Sequence, residues 1–305
     1  LRMKLRAGVA GAGAMGRNHA RVFSLLDDVD LVAIYDRDKS LAESVAAEFG
    51  AVAVDSLDEF AEAVDAATVA VPTIAHREVG CQLMEKGVHV LMEKPIADSL
   101  DDARALIETS QRCGKILQVG HIERFNPVMK ELEDRLTEPT FIEAHRLSPF
   151  PNRSIDIGVV LDLMIHDLEI ILHLVKSPVE SVDAVGVPVM TSREDIANAR
   201  IRFENGCVAN VTSSRISPER MRKIRVFQGD CYLSLDYQEQ SAEMYRMGGA
   251  GIEKVEVNVE KGEPLKRELA AFVECARVGS APAVSGQQGA AALDLALEIT
   301  NLING

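Results

Sequence analysis

Lys94 closes the run Val88-His89-Val90-Leu91-Met92-Glu93-Lys94-Pro95. Its apolar part is rich in β-branched residues and has no polar alternation, which reads as a strand covered on both faces, as in a parallel sheet. Pro95 has no amide to donate and restricts the backbone of Lys94, so the strand must end there. Glu93 and Lys94 then stand at the carboxyl end of a buried strand, where open α/β sheets bind ligands. Taken alone, the stretch reads equally well as an ordinary strand-to-helix turn with a solvated lysine. Further on, Asp162 and His166 lie four residues apart in the apolar stretch 159–175, so one helix face carries both. A histidine titrating near neutrality and a lysine at a strand end are suited to handling the proton of a hydroxyl. A histidine in so apolar a helix is also often a satisfied core group. Glu169 and His173 extend the stripe and suggest a metal, but the spacing is not that of known zinc helices. Both are read as structural, and no metal is expected.

A second set of residues precedes these. Leu5 to Ala10 reads as a strand running into Gly11-Ala12-Gly13-Ala14-Met15-Gly16, with helical periodicity from Arg17 to Leu26. Strand, G-x-G-x-x-G and helix in that order form the context that gives the motif meaning. Gly11 permits the tight turn, Gly13 a close approach of backbone to a pyrophosphate, and Gly16 close packing of helix on strand. The helix N-terminus offers amides to the phosphates. The next strand ends at Asp36, 20 residues after Gly16. An acid there accepts hydrogen bonds from ribose hydroxyls and repels a ribose phosphate, favouring NAD over NADP. Arg37 beside it pulls the other way.

The elements that position these residues alternate. Strands are expected at 30–35, 51–54, 67–71, 88–92 and 116–119, with helices at 40–49, after the capping pattern at 56–59, at 74–86 and up to Cys113. This predicts a doubly wound parallel sheet with right-handed crossovers, a Rossmann domain over residues 1–120. Residues 121–305 are expected to form an α+β domain with a mostly antiparallel sheet. In it a helix spans 125–136, a strand 140–147, a loop over the cleft 148–158 and a helix 159–175. Strands follow at 179–190, 196–203, 207–213, 221–228, 232–235 and 255–259, and helices at 264–278 and 289–302 close the chain. Arg215, Arg220, Arg222, Lys223 and Arg225 form a basic cluster. It reads either as a solvated strand edge or as a place where Arg215 meets a diphosphate.

Composition narrows the classes. A chain of 305 residues exceeds what one core usually serves. The absence of Trp and a net charge of −14 argue against a nucleic-acid binder. The five cysteines are odd in number and form no CxxC, so buried free thiols in a reducing cytoplasm are expected. Met3 reads as the natural start, and neither a signal peptide nor a membrane span is expected.

The glycine motif, the Pro72-Thr73 strand end, Glu93-Lys94-Pro95 and Asp162-Leu163-Met164-Ile165-His166-Asp167, in this order, resemble the Gfo/Idh/MocA oxidoreductases. The resemblance covers almost the whole chain. It implies a cis Lys94–Pro95 bond and catalysis by Lys94, His166 and Asp162. It also implies an NAD site built from Gly11, Gly13, Ala14, Met15, Gly16, Asp36, Arg37, Val71, Pro72, Thr73, His76, Glu93, Lys94 and Pro95. The segments 119–127 and 146–154 are similar to a subgroup, the UDP-N-acetylglucosamine 3-dehydrogenases. That similarity implies a 3-keto sugar nucleotide as product, a downstream aminotransferase and a route to amide-linked lipid A. His121, Arg124, Asn126, Arg153 and Arg215 are the candidates to hold the sugar and its phosphates, and the family resemblance implies a homodimer or homotetramer built on the outer face of the second sheet. His166 as base and Lys94 as the cation on the alkoxide is the expected division of roles, and the reverse is open. Two other readings share these residues: a dehydrogenase of a free sugar or inositol, and a non-catalytic NAD-binding regulator.

Overall fold

A computed structural model describes residues 4–150, 157–249 and 251–305. The chain folds as two units, Leu1–Ile122 with Glu263–Ala290, and Glu123–Gly262 with Ala291–Gly305.

In the first unit the described strands are β1 (Leu5–Ala10), β2 (Val29–Tyr35), β3 (Val52–Ala53), β4 (Ala66–Val69), β5 (His89–Glu93) and β6 (Leu117–Gly120). They form one parallel sheet in the order β3-β2-β1-β4-β5-β6. The order reverses beside β1, where this architecture opens a crevice for a ligand. The strands are apolar throughout because both faces are covered: Val9 and Ala10, Ala67 and Val69, and Val90, Leu91 and Met92 are all fully buried. The connecting helices are α1 (Ala14–Phe23), α2 (Lys39–Phe49), α3 (Leu57–Ala63), α4 (His76–Glu85) and α5 (Leu100–Cys113). Ser56 and Ser99 cap α3 and α5 by accepting from the amides of Glu59 and Asp102, and left-handed Gly50 and Gly114 stop α2 and α5.

The second unit holds α6 (Pro127–Glu133), α7 (Ile165–Val175) and the strands β7 (Phe141–Leu147), β8 (Val179–Val187), β9 (Ile196–Phe203), β10 (Val208–Ser214), β11 (Met221–Phe227), β12 (Cys231–Asp236), β13 (Ser241–Gly248) and β14 (Gly251–Val257). Its sheet runs β14-β13-β12-β11-β7-β10-β9-β8. β7 lies inside it, parallel to β10 and antiparallel to β11. Alternate residues, such as Ala197, Ala199, Ile201 and Phe203 on β9, share one buried cluster with Ile165, Leu168 and Ile171 of α7. On the opposite face Phe141, Phe227, Tyr232 and Tyr245 form a ladder across four strands, with centroid spacings of 5.6, 5.0 and 4.6 Å.

Five elements differ from the sequence reading in ways that matter here. The helix expected from Phe125 starts at Pro127, because Asn126 caps it in an extended conformation and Pro127 takes the first helical position. The segment 241–248 is a strand that its few β-branched residues do not announce, and β14 begins earlier than expected. The expected helix 159–175 opens with a π-helical turn, Val160–Met164. Finally, α8 (Pro264–Val278) belongs to the first unit rather than to one second domain running 121–305. Its stripe Leu265, Leu269, Phe272 and Val273 buries with Ala20, Val22 and Phe23 of α1. The last helix, α9 (Gly286–Asn304), begins in the first unit and ends in the second. Phe272→Ala is therefore predicted to lower unfolding stability by about 3–5 kcal/mol through the cavity it leaves. Chemical denaturation followed by circular dichroism checks this, and a loss below about 1 kcal/mol would contradict the placement of α8.

Candidate cofactor and catalytic site

The glycine turn after β1 fits a dinucleotide phosphate. Gly11 has φ +100, and a Cβ there would stand 2.5 Å from the carbonyl of Ala70. A Cβ on Gly16 would lie 1.7 Å from the carbonyl oxygen of Gly11. Both positions exclude a side chain. A Cβ on Gly13 would meet open space, and Gly13, Ala14 and Met15 are exposed at the N-terminus of α1. No side chain caps that terminus and its first turn holds no acid, so its amides are left for an anion. Asp36 Oδ2 accepts from the Ala12 amide at 2.6 Å, and Oδ1 accepts from the Asp38 amide at 2.8 Å. The acid thus ties the end of β2 to the glycine turn. It lines a cavity of about 230 Å³ with Tyr35, Arg37, Lys39, Val54 and Asp55. Arg37 lies 3.4 Å from Glu78 and Lys39 lies 2.6 Å from Asp55. Both nearby cations already face carboxylates, which suits a ribose diol better than a ribose phosphate.

Two further strand ends meet the same edge. Val71 and Thr73 follow β4, and Glu93, Lys94 and Pro95 end β5; all are partly exposed, and Pro72 is exposed. The Lys94–Pro95 bond is cis. His76 lies behind them, only 1% exposed. Its Nδ1 sits 3.0 Å from the Pro95 carbonyl and 3.2 Å from that of Ile96, and its Nε2 sits 3.1 Å from the Val71 carbonyl. Burial lowers its pKa against the pull of those carbonyls, so the ring is neutral at pH 7. His76, expected among the cofactor contacts, instead clamps two site loops together from inside. His19, which the sequence reading did not single out, is fully buried with Nε2 3.0 Å from Glu93 Oε1. Glu93 Oε2 accepts from the Lys94 amide at 3.3 Å.

In the second unit, Asp162 and His166 are partly exposed where α7 begins, whereas Asp167 and Glu169 are buried. π-helical turns recur at functional sites. The first turn of α7 is fixed by Arg146 on β7. Its Nε and Nη2 reach the two oxygens of Asp167 at 2.7 and 3.0 Å, and its Nη1 reaches Glu123 at 2.9 Å. Burial alone would lower the pKa of Arg146, but Asp167 and Glu123 more than reverse that, and the net direction is up. Burial would raise Glu123, but Arg146, with Arg222 and Asn126, reverses that and holds it below the usual carboxylate range.

The residues expected to hold substrate are mostly committed elsewhere. Asn126 donates to Glu123 at 3.2 Å and to the Tyr237 carbonyl at 3.0 Å while capping α6. Arg124 Nη1 pairs with Glu169 at 2.8 Å, with burial pushing Glu169 up to about 7 against that pairing. His173 Nε2 sits 2.8 Å from Glu133. Glu169 and His173 are thus spent on ion pairs, and among the described residues no cluster of three or more His, Cys, Asp or Glu is placed to hold a metal. His121, in the first unit, is 1% exposed. Arg215 is entirely buried: Nε donates to Asp195 at 2.8 Å, Nη1 to the Ile157 carbonyl at 2.7 Å and Nη2 to Thr191 Oγ1 at 2.9 Å. Neither a solvated edge nor a diphosphate contact describes it, because it points inward from the end of β10 onto Asp195. Arg153 lies outside the described residues.

Arg146→Met leaves two buried carboxylates without their cation. It is predicted to cost about 3–5 kcal/mol of unfolding stability at neutral pH. Urea denaturation reads the loss, and a variant as stable as the parent would remove Arg146 from this role.

Residues 5–121 match the profile of the oxidoreductase family with an NAD-binding Rossmann fold, and residues 131–230 match the GFO/IDH/MocA C-terminal domain. The UDP-N-acetylglucosamine 3-dehydrogenase of Acidithiobacillus ferrooxidans is 34% identical over 97% of this chain and 96% of its own. A solved structure of that enzyme superposes with a TM-score of 0.95, covering 99% of this chain and 98% of that one. The myo-inositol 2-dehydrogenase of Thermotoga maritima is 28% identical over 95% of this chain and 93% of its own.

Proposed function

The chain belongs to the Gfo/Idh/MocA oxidoreductases, as an NAD-binding enzyme acting on CH–OH groups, and on that premise we propose that its substrate is UDP-N-acetylglucosamine, oxidised at the 3-hydroxyl to the 3-keto sugar nucleotide. The observation that carries this reading is the match to the Acidithiobacillus ferrooxidans enzyme over nearly the full length of both chains. The weaker identity to an inositol dehydrogenase supports a free polyol as the second reading.

Bound NAD supplies the hydride acceptor, held by Gly11, Gly13 and Gly16, the amides of Ala14 and Met15, and Asp36. His166 takes the hydroxyl proton as general base, and Lys94 donates a hydrogen bond to the same oxygen as it gains alkoxide character. Asp162 orients the sugar or the imidazole. With Arg124 and Arg215 engaged inside the protein, Arg222 is the candidate cation for a diphosphate among the described residues of this unit. It pairs across the strands with Arg146, on the same face, and its side chain is 51% exposed with Nη1 3.7 Å from Glu123. Arg220 beside it is exposed as well.

The outer face of the second sheet supports a homodimer or homotetramer: the aromatic ladder runs along it, and Met247 and Ile252 are each 75% exposed. No helix among the described residues is long and apolar enough to cross a membrane. A cytoplasmic enzyme with free thiols, handing its ketone to an aminotransferase on a route to amide-linked lipid A, completes the reading.

Three outcomes test it. UDP-N-acetylglucosamine deuterated at C3 is expected to pass its label to the nicotinamide; label retained in the sugar product would assign the reaction to another carbon. Lys94→Ala is expected to abolish turnover while NAD still binds by fluorescence titration, and retained turnover removes Lys94 from the chemistry. Arg222→Ala is expected to raise KM for the sugar nucleotide about tenfold or more with kcat nearly unchanged. An unchanged KM would place the diphosphate elsewhere.

A further inference from the structure

The π-helical turn Val160–Met164 carries Asp162 and leads directly into Ile165 and His166. Its start is enclosed. Val159 and Val160 are fully buried, so their amides need acceptors from the protein rather than from water. One residue distant in the chain serves both. Glu194, in the connection between β8 and β9, accepts from the Val159 amide with its own carbonyl at 3.0 Å. Its carboxyl Oε1 accepts from the Val160 amide at 3.4 Å. The Asp162 amide then donates to the Gly158 carbonyl at 3.1 Å.

Gly158 makes room for that carboxyl. A Cβ there would lie 1.7 Å from Glu194 Oε1 and 2.2 Å from the carboxyl carbon. The φ of Gly158 is not in the left-handed region, so space rather than backbone conformation excludes a side chain. Glu194 is only 3% exposed, and the residue after it is tied down on all sides. Asp195 Oδ2 accepts from the amides of Val189, Met190 and Thr191 at 2.8, 2.6 and 2.9 Å, and Oδ1 accepts from Arg215 Nε at 2.8 Å. Nη1 of the same guanidinium donates to the Ile157 carbonyl at 2.7 Å. Arg215 therefore joins the connection that bears Glu194 to the segment that enters the π-helical turn.

A local serine or aspartate cap would satisfy a helix start at less cost than a buried glutamate. A cap that reaches in from between β8 and β9 does something a local one cannot: it fixes the turn against the sheet. We propose that Glu194 is a positioning residue for Asp162 and His166, acting through the backbone of the π-helical turn, with Gly158 as the space it requires. The role rests on the assignment of Asp162 and His166 to catalysis. Glu194 holds the turn at its start and Arg146 holds it beyond its end, on Asp167. The two proposed catalytic side chains lie between these ties. Without the Glu194 carboxyl, the Val160 amide is buried and unpaired, and the turn shifts to recover an acceptor.

The test compares the parent with Glu194→Ala, Glu194→Gln, Gly158→Ala and the double variant Glu194→Ala/Gly158→Ala. Hydrogen exchange is expected to quicken at the amides of 159–166 in Glu194→Ala and in Gly158→Ala, whose methyl displaces the carboxyl. Residues 168–175 are expected to keep the parent's rates. Glu194→Gln, with an amide oxygen that still accepts, is expected to restore slow exchange. In the double variant the added methyl fills the vacated space, so its effect is expected to match Glu194→Ala alone rather than the sum of the two. With NAD and UDP-N-acetylglucosamine, kcat is expected to fall about tenfold or more in the two single variants that lose the cap, with the Kd for NAD unchanged, and to recover in Glu194→Gln. Parent-like exchange and kcat in Glu194→Ala, a Glu194→Gln as impaired as Glu194→Ala, or losses that add in the double variant overturn the proposal. Should Glu194→Ala fail to fold, Gly158→Ala decides by the same readouts, and parent-like values there overturn it. If the sugar nucleotide is not the substrate, the parent itself is inactive, while the exchange rates still decide the role of Glu194.

Discussion

Arg146 places a full positive charge inside the second unit and spends it on two carboxylates at once. Desolvating three ions costs several kcal/mol each, and only good geometry with every donor used offsets that cost. The geometry here is bidentate on Asp167 with a third bond to Glu123, the arrangement a guanidinium supports best. Its consequences spread outward. Asp167 is tied to β7, an inner strand of the sheet, so the first turn of α7 has one position and one rotation. His166 is the residue before Asp167, and that rotation leaves it partly exposed while its neighbour is buried. Glu123 carries the tie to Asn126, which caps α6. A single buried cation thereby sets two helices and the direction of the proposed base.

The first unit reaches the same end by shape rather than charge. Gly11 and Gly16 allow backbone to approach backbone where any side chain would collide, and Asp36 stitches that turn to the next strand through the Ala12 amide. His76 holds the ends of β4 and β5 together through three carbonyls. These ties leave the glycine turn and the ends of β4 and β5 at one edge of the sheet.

Much of this was legible in the chain. Apolar runs ended by Gly, Pro or a capping serine marked the elements of the parallel sheet, because each covered strand must be apolar on both sides. The Glu93-Lys94-Pro95 and Asp162–His166 motifs carry the chemistry that is proposed. Local pattern could not say which polar residues face inward. Arg215 and Arg222 look alike in the sequence, yet one is buried against Asp195 and the other is half exposed. Arg124 and Asn126 likewise have buried partners far off in the chain, Glu169 and the Tyr237 carbonyl. α8 was misplaced for the same reason: its apolar stripe shows that it packs, but not against which unit. The strand at 241–248 was missed because it has little β-branched character and lies in a hairpin toward the sheet's edge, where pairing rather than core packing defines it.

The central claim is a hydride acceptor and a sugar nucleotide in one enzyme, and nicotinamide absorbance tests it most directly. The purified protein is mixed with NAD and UDP-N-acetylglucosamine, beside NADP, UDP-glucose, glucose and inositol, with a keto acid in a parallel set to reveal cofactor recycled in place. The account predicts NADH from NAD with the acetamido sugar nucleotide and little response from NADP or the free polyols. Reduction driven by inositol or glucose instead would contradict the sugar-nucleotide assignment while keeping Lys94 and His166. Silence with every substrate while NAD remains bound would contradict the proposed reaction altogether.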